Sequence, residues 1–271
     1  MAGKDGDRMK IVVSIKQVPD TTEVRIDPKT NTLIRDNVPS IINPDDMNAI
    51  EAALQLKDKN PGSEVTLVCM GPTQADVALR EGLAMGADRA ILITDRAFGG
   101  SDTWATSNVI ATVIQELDYD VVFCGRQAID GDTAQVGPQI AERLDIPQVT
   151  YISNIEQKSE DTFVVQRKTE DGYFEVEVKT PCLFTCIKEL NTPRYPHMRG
   201  IMEAFEDDDN VERWTNDKLN IPAEMIGLRS SPTRVKRTFV PEQKKAGIVI
   251  PDANEEEVKK VFEDLKLKHY I

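Results

Sequence analysis

Histidine is almost absent from this chain: His197 and His269 are the two it has. Imidazole metal sites and Ser-His-Asp or Cys-His catalysis are therefore poor fits, because each needs an imidazole placed beside its partners. Cysteine is also sparse. Of Cys69, Cys124, Cys182 and Cys186, three sit inside apolar, strand-like runs, which opposes a disulfide framework. Cys182 and Cys186 fall on one face of a strand-like run and read as a buried pair of thiols. No metal site is expected. Long apolar runs are missing, so no segment is expected to span a bilayer, and Met1 to Lys10 lacks the apolar core of a signal peptide. Positive charge is in deficit: 33 Lys and Arg against 46 Asp and Glu give a formal net charge of −13. Nucleic acid and anionic membrane surfaces are therefore poor partners, and a cytoplasmic protein is expected. Neither a Walker A loop nor the G-x-G-x-x-G dinucleotide fingerprint occurs, so any nucleotide must be held by another loop system.

What is present is a rhythm. At 271 residues the chain can bury a sizeable core as one large domain or a main domain with an appendage. Apolar runs at Ile11–Ile15, Val65–Met70, Ala90–Thr94 and Val121–Cys124 alternate with helical patterns, the signature of a mostly parallel sheet. A hairpin is expected from Val24–Ile26 and Leu33–Ile34. Asn43 and Pro44 open a helix to about Lys59 as N-cap and first helical residue, with Asp45 and Asp46 complementing the dipole. Further helices are expected over about Thr73–Met85, closed by Gly86, and over Thr103–Leu117 and Thr133–Leu144.

In such a sheet, ligands bind beyond the carboxyl ends of the strands, where helix N-termini offer unpaired N–H groups to phosphate. The stretch Gly125, Arg126, Gln127, Ala128, Ile129, Asp130, Gly131, Asp132, Thr133, Ala134, Gln135, Val136 occupies that position. Gly125, Gly131 and Gly137 would let backbone approach a ligand, and Gln127, Asp130, Asp132 and Gln135 offer groups for ribose hydroxyls or an adenine edge. An ordinary polar strand-to-helix loop has the same composition. Two more loops, Ser14–Pro19 and Asn43–Asp46, end at the same crevice. A fourth, Phe98, Gly99, Gly100, Ser101, carries a double glycine that suits close cofactor approach or simple flexibility. No matched general acid and base is present, so the carboxylates read as hydrogen-bond acceptors and no catalytic residue is assigned.

The second half has short strands, Gln148–Ile155, Phe163–Arg167, Tyr173–Val178 and Leu183–Ile187, which read as antiparallel additions. After Leu190 the pattern is lost. Asn191–Gly200 reads as a loop rich in interface residue types, Arg194, Tyr195 and Met198 among them; it serves as a docking segment or as a structural loop on the protein's own surface. The stretch Ile221–Gly247 has no periodicity, while Asn254 to about Leu267 is amphipathic through Val258, Val261, Phe262 and Leu265. That tail is disordered or lies on a partner. The expected organisation is a disordered extension or expression remnant over residues 1–9, a nucleotide-binding α/β domain over 10–190, a partner recognition loop over 191–204 and a C-terminal arm over 205–271.

The run Gly125–Pro138 followed by Leu144–Thr150 resembles the signature of the electron transfer flavoprotein β subunit. Ile15–Pro19, Asn43–Pro44, Ala84–Arg89 and Leu190–Tyr195 are similar to further motifs of that family, and the likeness runs from Met9 to the C-terminus. The resemblance implies a Rossmann-like fold with an extended C-terminal arm wrapping a larger α subunit in a heterodimer. It places an adenine-nucleotide site at Ser14, Asn43, Pro44, Asp45, Asp46, Met70 and Gly125 to Val136. At Ser14, Asp45, Asp46 and Met70 the chain departs from the family's common residue types, so backbone contacts are expected there. Residues Asp95–Ser107, with Phe98 to Ser101 as a loop near NAD, resemble the electron-bifurcating kind. That kind implies FAD in the β site, NADH as donor, and ferredoxin or flavodoxin plus an acyl-CoA dehydrogenase or similar flavoenzyme as acceptors. The ordinary kind would hold AMP there, and a non-redox nucleotide-binding regulatory module is a third possibility. The family's recognition loop, matching Met198 here, implies docking of the dehydrogenase.

Overall fold

In the computed structural model the described residues are 8–20, 25–26, 33–34, 39–234, 236, 247, 250 and 254–271. They divide into two compact units, Met1–Arg234 and Val235–Ile271. In chain order the first unit contains β1 (Lys10–Ile15), β2 (Gln17–Pro19), β3 (Arg25–Ile26), β4 (Leu33–Ile34), β5 (Ser40–Ile42), α1 (Pro44–Lys59), β6 (Glu64–Met70), α2 (Asp76–Met85), β7 (Arg89–Ile93), α3 (Thr103–Gln115), β8 (Val121–Gly125) and α4 (Val136–Leu144). There follow β9 (Gln148–Ser159), β10 (Thr162–Lys168), β11 (Tyr173–Lys179), β12 (Cys182–Cys186), α5 (Met198–Glu206), β13 (Glu212–Trp214), α6 (Asn216–Leu219) and α7 (Gly227–Ser230). The second unit carries α8 (Glu255–Leu267). The expected hairpin is present as β3 paired antiparallel with β4; Val24, its turn and residues 1–7 lie outside the described residues.

One sheet has the order β11-β10-β9-β12-β8-β1-β6-β7-β13. From β9 to β13 every neighbouring pair is parallel, and β10 and β11 add an antiparallel edge. The fold is the mostly parallel α/β sheet that the alternation of runs implies. The central strands are continuous apolar runs because helices cover both faces. Alternate residues of β1 show the division: Ile11, Val13 and Ile15 join the core beneath α1 and α2, while Val12 joins the core beneath α3 and α4. The expectation that Leu183–Ile187 is an antiparallel addition is corrected, since β12 lies inside the parallel sheet between β8 and β9. Its thiols Cys182 and Cys186 are both buried and free.

The expected boundary at residue 205 is also corrected. Residues 205–234 complete the sheet-bearing unit: β13 pairs with β7, and Trp214, Ile221 and Ile226 are buried in the core beneath α3. Trp214 is 4% exposed, and the Lys218 ammonium sits 3.3 Å from its ring centroid. Trp214→Ala should cost about 3 to 5 kcal/mol of unfolding free energy, the usual range for emptying a buried indole site. Urea unfolding measures it, and a loss below about 1 kcal/mol would show that this edge contributes little packing.

Candidate nucleotide crevice

The strand ends come together as the parallel topology requires. Ser14, Met70 and Gly125 lie at or near the carboxyl ends of β1, β6 and β8, adjacent strands in the sheet. The first turn of α1 faces them. Asn43 precedes α1, with Pro44 at its first position, but its side chain makes no cap bond. Instead its Nδ2 donates to the Gln127 carbonyl (2.9 Å) and its Oδ1 accepts from the Ile129 N–H (3.1 Å). Asn43 thus holds the expected N-cap position, with its carbonyl accepting from the Asp46 and Met47 N–H groups, while its side chain is a cross-brace that fixes residues 127–129. Asp46 is buried beside it, with Oδ2 accepting from the Lys16 N–H (2.7 Å) and Oδ1 from the Gly125 N–H (3.0 Å). Burial pushes its carboxyl up to about 7 against the lowering effect of the Asn43 side chain and of those two N–H bonds, with Asp45 adding to the rise.

The loop after β8 closes on itself and on its neighbours. The N–H groups of Gly131 and Asp132 both donate to the Ala128 carbonyl. The Lys16 ammonium reaches Asp130 at 2.7 and 2.8 Å, Gln127 donates to Asp132 (2.8 Å), and the Thr103 hydroxyl donates to Gln135 (2.9 Å). Asp132 and Ala134 have φ of 49° and 52°, left-handed backbone that non-glycine residues adopt at a cost of about 1 to 2 kcal/mol. Such outliers concentrate at functional sites, and left-handed residues are among those that build concave N–H nests for anions. They also explain a correction: α4 begins at Val136, not at Asp132 or Thr133, because a right-handed helix cannot pass through them.

Of the three glycines read as close-approach positions, Gly125 and Gly137 are tight. A Cβ on Gly125 would lie 2.1 Å from Asp46 Oδ1, and one on Gly137 2.8 Å from the Thr185 methyl group. Gly131 has nothing within 4 Å; its open side faces no protein atom. Arg126 Nε and Asp45 Oδ2 are 3.3 Å apart, yet neither makes a hydrogen bond although both atoms are buried. The pair is an ion pair without hydrogen-bond alignment. Burial raises the Asp45 carboxyl above its usual range, Arg126 lowers it and Glu189 raises it. Gly125 and Gly137 thus accommodate the protein's own packing; the open Gly131, the unaligned buried polar atoms and the left-handed backbone are what suit a polar ligand with phosphate.

Phe98 to Ser101 is a different case. Phe98 is buried, the Ser101 hydroxyl donates to the Phe98 carbonyl (2.7 Å) and accepts from the Gly227 N–H (3.0 Å), and Leu228 N–H donates to the Gly99 carbonyl (3.2 Å). A Cβ on Gly100 would meet Leu228 Cβ at 3.0 Å. On this side the double glycine accommodates α7 rather than leaving open space.

The recognition segment also differs from a loop. From Met198 it is the helix α5, with Met198, Ile201, Met202 and Phe205 exposed at helical spacing and Tyr195 91% exposed beside it. Gly200 lets α5 approach α2, where a Cβ would meet the Ala84 carbonyl at 2.5 Å. Arg80 donates to the carbonyls of Ala204, Asp207 and Asp208 at the other end. Arg194, expected at the docking surface with Tyr195 and Met198, is committed inward: its guanidinium donates to the buried Glu51 at 2.8 and 3.1 Å and to Asp58 at 2.8 Å. It anchors the segment that the other two residues present.

No helix among the described residues is long and apolar enough to cross a membrane. Residues 30–218 match the family model described as electron transfer flavoprotein domain. The chain is 56% identical over 263 residues to the electron transfer flavoprotein subunit beta of Thermoanaerobacterium thermosaccharolyticum and 57% identical over 263 residues to that of Clostridium acetobutylicum; each alignment covers 97% of this chain and all of the relative. It is 54% identical over 266 residues to the caffeyl-CoA reductase-Etf complex subunit CarD of Acetobacterium woodii, covering 97% of this chain and all of CarD.

Proposed function

The chain belongs to the electron transfer flavoprotein family as a β subunit, and from that premise we propose that its crevice receives FAD. Bound there, FAD would supply the chemistry of taking hydride from NADH and releasing electrons singly, toward ferredoxin or flavodoxin and, through an α-subunit FAD, toward an acyl-CoA dehydrogenase or similar flavoenzyme. The observation that carries this reading is the junction of Asn43, Asp46 and the Gly125–Val136 loop at three adjacent parallel strand ends. The relative named as part of a caffeyl-CoA reductase complex supports an acyl-CoA-linked partner.

In this arrangement Asn43 and Asp46 fix the loop backbone, and the N–H groups of Thr133 and Ala134 with the Thr133 hydroxyl bind phosphate. Gln127, Asp130, Asp132 and Gln135 serve ribose and adenine, while Ser14, Pro44, Asp45, Met70, Arg126, Ala128, Ile129 and Val136 complete the walls. The bound FAD supplies the two-electron to one-electron conversion, and the protein positions it and tunes its potential. Residues 235–271 form the arm that docks on the α subunit, through the exposed Val258, Val261, Phe262 and Leu265 on α8. Tyr195 and Met198 dock the dehydrogenase, and the complex is cytoplasmic.

The packing of α7 on Gly99 and Gly100 favours a second reading, in which the same crevice holds AMP and the α subunit carries the flavin. Anaerobic mixing of the purified heterodimer with NADH separates the two. Prompt flavin bleaching by stoichiometric NADH is the expected result, and a flavin that NADH leaves oxidised would move the protein to the AMP-binding kind.

A further inference from the structure

The two left-handed residues of the loop after β8, Asp132 and Ala134, are bracketed in the chain by side chains that other elements hold. Before them, both oxygens of Asp130 accept from the Lys16 ammonium, at 2.7 and 2.8 Å. After them, the Gln135 side chain accepts from the Thr103 hydroxyl at 2.9 Å. Between the brackets the hold is local: Gln127 reaches Asp132 from within the same loop, and the N–H groups of Thr133 and Ala134 bond to no other described residue. Both anchors start from fixed backbone. The Lys16 N–H donates to Asp46 (2.7 Å) and its carbonyl accepts from the Asn43 N–H (2.9 Å), which ties it to the start of α1. Thr103 is the first residue of α3, which Asp102 caps through the Ala105 N–H (3.1 Å). Left-handed backbone at non-glycine residues persists only where the surroundings over-determine it.

We propose that Lys16 and Thr103 are positioning residues of the crevice: acting through Asp130 and Gln135, they hold the strained stretch 131–134 so that the Thr133 and Ala134 N–H groups are set for phosphate in advance. The inference rests on the reading of the crevice as a nucleotide site with its phosphate on those N–H groups. Preorganised donors bind an anion without first losing chain entropy, so slackening either anchor weakens phosphate binding. Adenosine has no phosphate, and its binding does not draw on them. The anchors differ in kind. The Lys16 and Asp130 side chains are 47% and 35% exposed, so salt screens their pair and its contribution is up to about fivefold in affinity. The Thr103–Gln135 bond joins neutral groups, contributes about fivefold and is indifferent to salt.

The test is calorimetric titration of AMP and of adenosine into the heterodimer freed of its β-site nucleotide. Lys16→Met should weaken AMP by about three- to fivefold at low salt and by less at about 0.5 M salt, with Lys16→Arg restoring it. Thr103→Val should weaken AMP by about fivefold at either salt, with Thr103→Ser restoring it. Adenosine should change by less than about twofold in both. Adding Lys16→Met to Asp130→Asn should cost AMP nothing beyond Asp130→Asn alone, because the two changes remove one interaction. Equal losses for AMP and adenosine would make the anchors general supports of the fold, and unchanged AMP binding would make them idle; either overturns the inference. Additive losses from Lys16→Met and Asp130→Asn would mean that the ammonium meets the phosphate itself, which also overturns it. In all three cases the nucleotide reading stands, because the wild type still binds AMP. An adenosine affinity below detection leaves the decision to the salt dependence and to the Lys16–Asp130 pair, both read on AMP, and a Thr103→Val chain that fails to fold leaves it to the Lys16 variants. A wild type that binds neither ligand would overturn the crevice reading itself, and this inference with it.

Discussion

Gly125→Val empties the crevice, while Gly131→Val leaves the fold as it was. At position 125 any side chain collides with Asp46: the Cβ would lie 2.1 Å from Oδ1 and 2.8 Å from the backbone nitrogen. Relief requires the first turn of α1 to move away from the end of β8, which breaks the Gly125–Asp46 bond and slackens the Asn43 brace on residues 127–129. Overpacking of this kind costs about 1 to 3 kcal/mol of stability, and more where backbone forms the wall. Nucleotide affinity should fall by well over tenfold, about 1.4 kcal/mol per decade. At position 131 a Cβ meets nothing within 4 Å. The melting temperature of Gly131→Val should therefore match the wild type, and any loss of bound nucleotide reports contact with the ligand alone. Equal nucleotide retention in the Gly125 variant would show that this junction does not shape the site.

The second large effect separates anchoring from docking in the segment after Leu190. Arg194→Ala removes the cation paired with Glu51, which is 4% exposed and keeps only the Gln55 amide and the residue-194 N–H as donors, and breaking a buried pair costs about 3 to 5 kcal/mol because the remaining charge has no cation. The partial exposure of Arg194 places the expected loss near the lower figure, a fall of about 6 to 12 °C at the usual 2 to 4 °C per kcal/mol. Met198→Ala removes a side chain that is 74% exposed and should leave the melting temperature unchanged. It should nonetheless weaken electron transfer to the dehydrogenase by an amount typical of an interface anchor, about 2 kcal/mol or near thirtyfold, with NADH oxidation intact. Thermal melts and separate half-reactions give the four numbers. A stable Arg194→Ala chain, or a Met198→Ala chain that loses both half-reactions, would reverse the roles assigned to these residues.

The parts of the fold that can be read from residue order are those in which local pattern and burial agree. β1, β6, β7 and β8 are apolar runs bounded by turn residues, and Gly86 closes α2 in the left-handed region with φ 123°. β13 is invisible in the sequence, because Glu212-Arg-Trp has no strand signature until it pairs with β7 more than a hundred residues earlier. The start of α4 is misplaced for a related reason: left-handed Asp132 and Ala134 carry no mark in composition, whereas a glycine would have signalled the bend. Asn43 before Pro44 has every local property of an N-cap. Its side-chain partners, Gln127 and Ile129, lie 84 and 86 positions away, and no local pattern reports them. Arg194 likewise looks like an interface arginine until Glu51, 143 positions earlier, is brought beneath it. The loops that meet at the crevice follow from the parallel topology, but which side chains face the ligand and which brace the walls depends on tertiary contacts.

Denaturing the purified heterodimer and identifying the released ligands by chromatography asks what the crevice holds. Two FAD per heterodimer and no AMP is the outcome expected if the junction of Asn43, Asp46 and the Gly125–Val136 loop is a flavin site. One FAD with one AMP would keep the crevice as a nucleotide site and remove the flavin from it. One FAD with no further adenine nucleotide, from a preparation still able to transfer electrons, would contradict the site altogether.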